Sequence, residues 1–450
     1  MAPQLLVGLD MGTTRIKAVA VDLAGQQVAE AALPTPWRHV GAEADADPID
    51  LAVTATGVLT LLTTSASWPT GAKVTGIGVT GMAETGILLD AAGAVVAPAL
   101  AWHDPRGEVE LIEAHISPPE FHRHVGMRLN SKPSVAKILW LQRNIPGASE
   151  AVRHLCVAEW IVHYLGGEQV GELSLTSRTG LFDVVTREPW EQTLRLTGDL
   201  LPSRFVIAGT DCGSVRNHLP DAYLGAVLTV TGMDHQSAAF ASGAAIAGVF
   251  FNSMGTAEAL MRFAPAPLSR DEIELLVDQD AAVLWSVIPD HFCVLAATLS
   301  GLSMERVHAL LGVKTREQAR ELARAALGVD RLTSAMKLDP ASHRGLRLSG
   351  IDDESSPALA WRVAVEDLLA QSATMTDFVE SVIGPRTSAV VAGGWIHDAM
   401  VAEVKKRRLG DYRTCDVNEP GAIGAALFAG IATGALSRPG PSERPTWPQS

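Results

Sequence analysis

The sequence LLVGLDMGTTRIKAVAVDLAG, residues 5–25, gives the clearest indication of the fold. Its apolar beginning predicts one strand, and the alternating residues 16–21 predict a second strand after the Met-Gly-Thr turn. A further turn at residues 22–25 then leads into a third predicted strand. The stretch GVFFNSMGTAEAL, residues 248–260, repeats the order of strand, Met-Gly-Thr turn and strand. We therefore predict that the chain contains two related halves, with a boundary near Ala244.

Helical and strand patterns alternate along the chain, which is typical of an α/β fold. The spacing of apolar residues predicts a helix over about residues 49–62 and mostly helical structure over residues 135–165. The final segment, residues 437–450, contains four prolines and is predicted to be a disordered tail. Further strands are predicted at residues 74–79, 87–89, 227–231 and 388–391, and a helix of small residues at 237–242.

Composition narrows the class of protein. The chain has 450 residues, 47% of them hydrophobic and 19% charged, so it is too apolar to be disordered and long enough for two domains. Its formal net charge of −14 disfavours binding to nucleic acid or to an anionic membrane. No signal-peptide pattern is visible, and the longest apolar stretch, residues 240–251, is too short to span a membrane. The four cysteines lie too far apart for a C-x-x-C motif, which fits a reducing cytoplasm; they are Cys156, Cys212, Cys293 and Cys415. We therefore expect a cytoplasmic protein, and an enzyme is the commonest case among such proteins.

The first candidate site is the turn after the first predicted strand. Asp10 ends that strand, and Gly12 lets the backbone approach a ligand closely. The hydroxyl and N–H groups of Thr13 and Thr14 can bind phosphate oxygens, while the Asp10 carboxylate can hold Mg²⁺ directly or through water. The alternative is an ordinary β-turn with an exposed aspartate.

A second carboxylate has the same placement in the middle of the chain. Asp234 follows a predicted strand and Gly232, and it precedes His235 at the start of a helix. A carboxylate in this position can accept a proton from a substrate hydroxyl as a general base. The alternative is a residue that only caps the helix, because aspartate is favoured at helix starts.

Two glycine motifs bear on nucleotide binding. Gly393 and Gly394 follow a predicted strand and precede His397, so a purine can lie flat against the backbone, although an ordinary turn is also open. Residues 76–81, GIGVTG, match G-x-G-x-x-G, but the next apolar segment is typical of a strand and not of the helix that a dinucleotide site requires. We therefore reject a nicotinamide site there.

Two groups of charged residues are predicted to lie on the surface. His122 and His124 flank Arg123 at a spacing that lacks a metal-ligand partner. The basic run KKRR, residues 405–408, is predicted to be a solvated helix face of an acidic protein.

Taken together, these motifs resemble the FGGY family of carbohydrate kinases, within the actin-like ATPase superfamily, over about residues 5–436. Any one segment is weak evidence, but their shared order is specific. The family's G-E-R-x-P segment is reduced here to a remnant at residues 339–345. The matching segments are residues 8–14, 77–82, 88–90, 101–106, 180–183, 232–234, 253–256, 393–394 and 419–426.

The resemblance implies an α/β fold in which two RNase H-like domains flank a catalytic cleft, with residues 1–244 binding the carbohydrate and residues 245–436 the nucleotide. It implies ATP-dependent phosphorylation of a hydroxyl of a small neutral carbohydrate, a ketopentose such as xylulose or a polyol, with Asp234 as general base. Mg²⁺ would lie on Asp10 and Asp234. A homodimer is left open, and a non-catalytic sensor that binds ATP and sugar is the alternative function. The implied ATP contacts are Gly12, Thr13, Thr14, Gly255, Thr256, Gly393, Gly394 and His397, and the implied substrate contacts are Met82, Ala83, Glu84, Trp102, Asp234 and His235.

The acceptor segment, residues 81–85, departs from its relatives. Glu84 resembles the polyol type, whereas Ala83 stands where glycerol kinases carry arginine. Because Ala83 supplies no positive charge, we expect the Glu84 carboxylate to repel anionic acceptors and favour neutral ones. The alternative is that Glu84 only pairs with a nearby cation such as Arg106.

Overall fold

The computed structural model describes residues 2–216, 218–331, 334–342, 345–415 and 417–444. Strands and helices are interspersed along these residues, as predicted for an α/β fold. In chain order the strands are β1 (Gln4–Met11), β2 (Arg15–Asp22), β3 (Gln27–Pro34), β4 (Arg38–Val40), β5 (Glu43–Ala46), β6 (Lys73–Gly81), β7 (Gly86–Leu89), β8 (Ala99–Leu100), β9 (Arg153–Cys156), β10 (Gly171–Glu172), β11 (Phe182–Asp183), β12 (Glu188–Pro189), β13 (Phe205–Val206), β14 (Val227–Met233), β15 (Val249–Met254), β16 (Glu258–Pro265), β17 (Ala282–Trp285), β18 (His291–Thr298), β19 (Lys337–Ser342), β20 (Gly345–Ser349), β21 (Ser388–Ala392) and β22 (Arg413–Thr414). The helices are α1 (Pro48–Thr63), α2 (Val109–Glu113), α3 (Pro118–Val125), α4 (Ser134–Asn144), α5 (Val157–Tyr164), α6 (Leu173–Thr176), α7 (Glu191–Thr197), α8 (Asp234–Ala241), α9 (Arg270–Asp278), α10 (Ser300–Leu310), α11 (Arg316–Leu327), α12 (Pro357–Ile383), α13 (Ala399–Leu409) and α14 (Pro420–Ala432), with short 3₁₀ helices at Ala148–Glu150 and Gly394–His397.

The first sheet has the strand order β14-β6-β1-β2-β3. β1, β2 and β3 form the predicted antiparallel meander, whereas β1 and β14 both run parallel to β6. Met11 and Met233 both pair with Gly81, so the carboxyl ends of three parallel strands meet at one edge of the sheet. That edge is where ligands bind in open α/β sheets.

Helices cover both faces of the first sheet. Ile16 and Ala18 of β2 share a buried cluster with side chains of α1, while Val19 and Val21 share another with side chains of α14. The strand is therefore buried on both sides, as strands in helix-covered sheets are.

The approach of α14 to the first sheet depends on glycine. A Cβ at Gly8 would lie 1.7 Å from the carbonyl oxygen of Ala422, and one at Gly78 would lie 2.0 Å from that of Ala425. No residue with a side chain fits at that distance. The last helix thus packs on the first sheet, although it follows the second sheet in sequence.

The second sheet has the strand order β17-β18-β16-β15-β21-β22. β15 and β16 are antiparallel and are joined by the second Met-Gly-Thr turn, which confirms the predicted repeat. β21 runs parallel to β15 with Ala392 opposite Ser253, so the turn and the Gly393-Gly394 pair begin side by side. The G-x-G-x-x-G match lies within β6, and the next element is the predicted strand β7, so the helix that a dinucleotide fingerprint requires does not follow the match.

Helices α3 and α9 join the two halves of the molecule. His122 Nδ1 lies 3.0 Å from an oxygen of Asp278, and His124 Nδ1 lies 2.6 Å from Asp183 Oδ2. The same Asp183 oxygen accepts a hydrogen bond from Arg270 of α9 at 2.8 Å. The expectation that these histidines lie on a solvated surface is therefore wrong, because α9 packs against them.

Other segments differ from the sequence expectations or extend them. The predicted helical region at residues 135–165 is interrupted by β9, which pairs with β7. Residues 437–444 of the predicted tail include Pro441, whose carbonyl accepts a hydrogen bond from the Ala247 amide at 3.1 Å, and residues 445–450 lie outside the described residues. Two residues of the 339–345 remnant also lie outside them. Within the described part of the chain, no helix has the length and hydropathy to cross a bilayer.

Candidate active site

Three predicted site residues lie at the edge where the parallel strands of the first sheet end. Asp10 is the penultimate residue of β1, Glu84 lies three residues beyond β6, and Asp234 directly follows β14. Because β1 and β14 flank β6 in parallel, residues that are far apart in sequence emerge from neighbouring strands.

The Asp10 carboxylate is enclosed without enough partners. Its Oδ1 is buried and accepts no hydrogen bond from the described residues. Burial, together with the nearby Asp234 carboxylate, raises the pKa of Asp10 to about 8. Gly421 leaves room for the other oxygen, since a Cβ there would lie 2.7 Å from Asp10 Oδ2.

These features suit a hard divalent cation, which prefers carboxylate oxygens and keeps several waters. Asp10 and Asp234 are therefore a chemically fitting pair for Mg²⁺. Among the described residues, no group of three or more His, Cys, Asp or Glu side chains is arranged to hold a metal ion. Phosphate oxygens and water would have to complete the coordination, as is usual for Mg²⁺ with phosphate substrates.

Asp234 is the first residue of α8 and not its cap. The cap position is occupied by Met233, whose side chain makes no capping hydrogen bond. Asp234 Oδ1 accepts a hydrogen bond from the amide of His235 at 2.7 Å. The alternative that Asp234 serves as the helix cap is therefore wrong, and this half-buried residue is close enough to Asp10 for its charge to act on that carboxylate.

A buried polar network fixes the backbone that leads to Asp234. Thr80 Oγ1 donates to the Gly232 carbonyl at 2.7 Å, and Ser174 Oγ accepts from the Met233 amide at 3.1 Å. Ser174 in turn donates its hydroxyl proton to Glu172 at 2.6 Å. Sequence reasoning missed Ser174 and Glu172, although the unusual density of Ser, Thr and charged residues around them is a signal that could have found them.

Glu84 has a cationic partner that the sequence did not reveal. It is 3% exposed and forms a close ion pair with the equally buried Arg178, while Lys132 Nζ lies 4.0 Å from it. Burial alone would raise the pKa of Glu84, but Arg178, Lys132 and Lys137 outweigh burial and hold the pKa below its ordinary value. The expectation that no positive charge offsets Glu84 is therefore wrong.

The alternative partner, Arg106, is used elsewhere. Its guanidinium pairs with Asp104 at 2.7 Å and with Asp45 at 3.0 Å. The predicted contacts Met82 and Ala83 are 3% and 1% exposed and belong to the hydrophobic core beneath the strand edge.

The first Met-Gly-Thr turn is held from behind by aromatic and hydroxyl side chains. The Gly12 carbonyl accepts from Thr35 Oγ1 at 2.7 Å, and the Thr13 carbonyl accepts from Trp37 Nε1 at 2.6 Å. Trp102 Nε1 donates to the Thr13 hydroxyl at 2.8 Å. Trp102, a predicted substrate contact, thereby orients the hydroxyl of Thr13, a predicted phosphate contact.

The second Met-Gly-Thr turn lines a cavity of about 700 Å³. Gly301 of α10 supports this turn, since a Cβ there would lie 1.8 Å from the Gly255 carbonyl oxygen. Gly393 has a positive φ of 98°, and its Cβ would lie 2.3 Å from the Met254 oxygen. The cavity brings together four residues predicted to bind ATP, namely Gly255, Thr256, Gly394 and His397. It is also lined by residues that the sequence did not single out, including Glu305, His308, Arg316, Arg320, Trp395 and Asp398.

A buried ion pair lies behind the second turn. Lys405 Nζ contacts Glu258 Oε1 at 2.5 Å, and the other Glu258 oxygen accepts hydrogen bonds from Ser372 at 2.5 Å and Thr298 at 3.1 Å. Lys405 is 5% exposed, so the prediction of a fully solvated basic run at residues 405–408 is wrong at its first residue. The pair ties the start of β16 to α13, which follows the Gly393-Gly394 loop.

Known sequences that are similar to this chain are carbohydrate kinases. Residues 5–241 match the model of the FGGY family of carbohydrate kinases, N-terminal domain. An L-fuculokinase of Salmonella typhi is 27% identical over 469 aligned residues, which cover 98% of this chain and 94% of that protein. A glycerol kinase of Paracidovorax citrulli is 30% identical over 270 residues, which cover 56% of this chain and 52% of that protein.

Solved structures share the fold. A xylulose kinase from Rhodospirillum rubrum superposes with a TM-score of 0.83 at 19% identity, covering 95% of this chain and 92% of the other. A Plasmodium falciparum glycerol kinase with ADP gives 0.84 at 18% identity, covering 97% and 91%. The fold is thus that of the two-domain sugar kinases with an actin-like ATPase fold. The chain belongs to the FGGY family of carbohydrate kinases, which are phosphotransferases that use ATP with Mg²⁺.

Proposed function

We propose that this protein transfers the terminal phosphoryl group of ATP to a hydroxyl of a small carbohydrate, with Asp234 as general base. The observation that carries the proposal is the placement of Asp10 and Asp234 at the ends of two parallel strands that flank β6. Phosphoryl transfer requires in-line positioning, charge neutralisation and an oriented nucleophile. Two carboxylates at one edge of the sheet can orient the nucleophile and can provide a position for a metal ion.

Asp234 would accept the proton of the acceptor hydroxyl as that oxygen attacks phosphorus. The network of Thr80, Ser174 and Glu172 supports this role, because it fixes the two backbone residues that precede the carboxylate. Mg²⁺, held through Asp10 and Asp234, would neutralise charge on the phosphate oxygens. His235 would help to shape the acceptor side.

The nucleotide would be bound by two turns and a glycine pair. Gly12, Thr13 and Thr14 would contact phosphates from the first half, and Gly255 and Thr256 from the second. The adenosine part would occupy the cavity at the second turn, where Trp395 and His308 provide aromatic surface. Gly393, Gly394 and His397 would border it. This division supports residues 1–244 as the carbohydrate-binding part and residues 245–436 as the nucleotide-binding part.

The acceptor is proposed to be a neutral ketopentose such as xylulose, or a polyol. Three of the relatives support this class, since they are named for fuculose, glycerol and xylulose. Glu84 can accept hydrogen bonds from acceptor hydroxyls, and Trp102 offers an apolar face. The four cysteines are buried and free, which suits the proposed cytoplasmic location.

A coupled ADP-release assay with Mg·ATP tests the function across pentuloses, hexuloses, aldoses and polyols. We expect acceptor-dependent ADP release with at least one of them, and a loss of about 10²- to 10⁴-fold in turnover for Asp234→Asn. ATP affinity should change little in that variant. Binding of ATP and sugar without turnover of any acceptor would instead favour the sensor.

A further inference from the structure

The first turn of α8 binds the backbone of the second sheet. Gln236, two residues after Asp234, is fully buried. Its Nε2 donates to the Trp285 carbonyl at 3.0 Å, and its Oε1 accepts from the Val287 amide at 2.9 Å. Trp285 is the last residue of β17, the edge strand of the second sheet. Both ends of one side-chain amide are thus used, so Gln236 fixes the distance and the orientation between α8 and this strand.

The same segment also touches the chain just before Asp234. A Cβ at Gly232 would lie 2.7 Å from Val287 Cγ1, so the Val287 side chain packs closely against this glycine. Gly232 has a positive φ of 80° and leads through Met233 into Asp234. Val287 therefore contacts the backbone before the carboxylate, while Gln236 binds the same segment from the residues after it. The proposed base lies between two contacts with the second half of the molecule.

Trp285 is also bound by residues of the first half. Its amide donates to Ser177 Oγ at 3.2 Å, and its indole Nε1 donates to the Val184 carbonyl at 2.8 Å. The guanidinium carbon of Arg187 lies 3.6 Å from the centre of the indole ring, which is a cation–π distance. The backbone that Gln236 binds is therefore itself held in place.

A ladder of paired strands connects this contact to the turn proposed to hold the nucleotide phosphates. β17 pairs with β18, and β18 pairs with β16, which the second Met-Gly-Thr turn joins to β15. The proposed base and the proposed phosphate turn therefore belong to different sheets, and Gln236 bridges the two. In-line transfer requires both to be placed accurately, because a displacement of about 1 Å can cost about 10²-fold in rate.

We propose that Gln236 is a positioning residue for phosphoryl transfer. By binding the backbone of Trp285 and Val287, it sets the position of Asp234 relative to the phosphates that the second half presents. This inference rests on the proposed function, in which Asp234 is the base. Gln236 is too deeply buried to contact an acceptor, so its effect on the rate passes through Asp234. A glutamine that only filled the interface would stabilise the protein without acting through the base.

The test is a double-mutant cycle between Gln236→Met and Asp234→Asn, measured as single-turnover phosphoryl transfer with Mg·ATP. Methionine has a similar length but cannot bind either backbone group. We expect Gln236→Met to transfer phosphate about 10²-fold more slowly, while the affinities for ATP and for the acceptor stay within about threefold of wild type. In the Asp234→Asn background the same substitution should change the rate by less than about threefold, because the base through which Gln236 acts is already gone.

Two further variants complete the design. Gln236→Glu preserves the shape of the side chain and the oxygen that accepts from the Val287 amide. It should therefore be less impaired than Gln236→Met, and it replaces Gln236→Met in the cycle if that variant does not fold. Gln142→Met is the matched control, because Gln142 of α4 also donates its side-chain amide to a backbone carbonyl, that of Thr197 at 2.8 Å. Its transfer rate should equal that of wild type.

The outcomes separate this inference from the function on which it rests. An equal loss of rate from Gln236→Met in both backgrounds would overturn the positioning role and leave the kinase function standing. A lower melting temperature with an unchanged transfer rate would overturn it as well. No ADP release with any acceptor, or full activity of Asp234→Asn, would overturn the proposed function itself and the inference with it.

Discussion

Replacing Gly301 with alanine tests how closely α10 supports the second Met-Gly-Thr turn. The new Cβ would lie 1.8 Å from the carbonyl oxygen of Gly255 and 2.9 Å from that of Thr256. A carbon and a carbonyl oxygen approach to roughly 3.3 Å at closest, so α10 and the turn must separate by about 1.5 Å. The Leu302 amide, which donates to the Thr256 carbonyl at 2.8 Å, moves with the helix.

A displacement of about 1 Å in a positioning element can cost about 10²-fold in rate. We therefore expect Gly301→Ala to lower kcat/KM for ATP by about 10²-fold, with a smaller effect on KM for the acceptor, which is proposed to bind at the first sheet. The assay is ADP release at varied ATP and saturating acceptor, together with thermal unfolding of each variant.

Gly57→Ala is the matched control for this substitution. Gly57 lies within α1, where a Cβ would lie 3.5 Å from Leu33 Cδ1 in ordinary van der Waals contact. ATP kinetics within threefold of wild type for folded Gly301→Ala would refute the argument that this turn positions the nucleotide phosphates.

Three further predictions follow from buried polar groups. Glu84→Ala leaves Arg178 buried without its carboxylate, so the free energy of unfolding should fall by about 3–5 kcal/mol in chemical denaturation; an unchanged midpoint would contradict the ion pair. Ser174→Ala removes the acceptor of the Met233 amide, and kcat should fall about 10-fold with KM for ATP unchanged, which steady-state kinetics can check. Burial raises the pKa of Glu172 to about 7, so the folded protein retains a proton that the unfolded chain has lost above about pH 4.5. The stabilisation from this retained proton should decline as pH rises from about 4.5 to about 7, and Glu172→Gln should remove that dependence of the unfolding free energy on pH in chemical denaturation.

The parts of the fold that local pattern decides could be predicted from the sequence. The meander at residues 5–34, the repeated Met-Gly-Thr turn and the strand before Asp234 all appear where hydrophobic periodicity and glycine turns placed them. The proposed base and the first turn were identified because each follows a buried strand directly. In each case the apolar strand and the glycine turn lie within about ten residues of one another, and sequence patterns predict structure over that range.

The partners of charged side chains could not be predicted in this way. Glu84 and Arg178 are 94 residues apart, and their pairing follows from how α6 packs beside β14, the strand next to β6. The polar segments around His122 and Lys405 predict solvated side chains. In the structure, however, α9 packs against His122 and Lys405 forms a buried ion pair with Glu258. Burial of a charge depends on the element packed against it, so no local pattern indicates it.

Single-turnover phosphoryl transfer by Asp234→Asn, with Mg·ATP and the best acceptor from the screen, tests whether Asp234 takes the proton from the acceptor hydroxyl. We expect the variant to bind ATP with wild-type affinity, to unfold at a similar temperature and to transfer phosphate about 10²- to 10⁴-fold more slowly. A single-turnover rate within threefold of wild type would show that Asp234 is not the base.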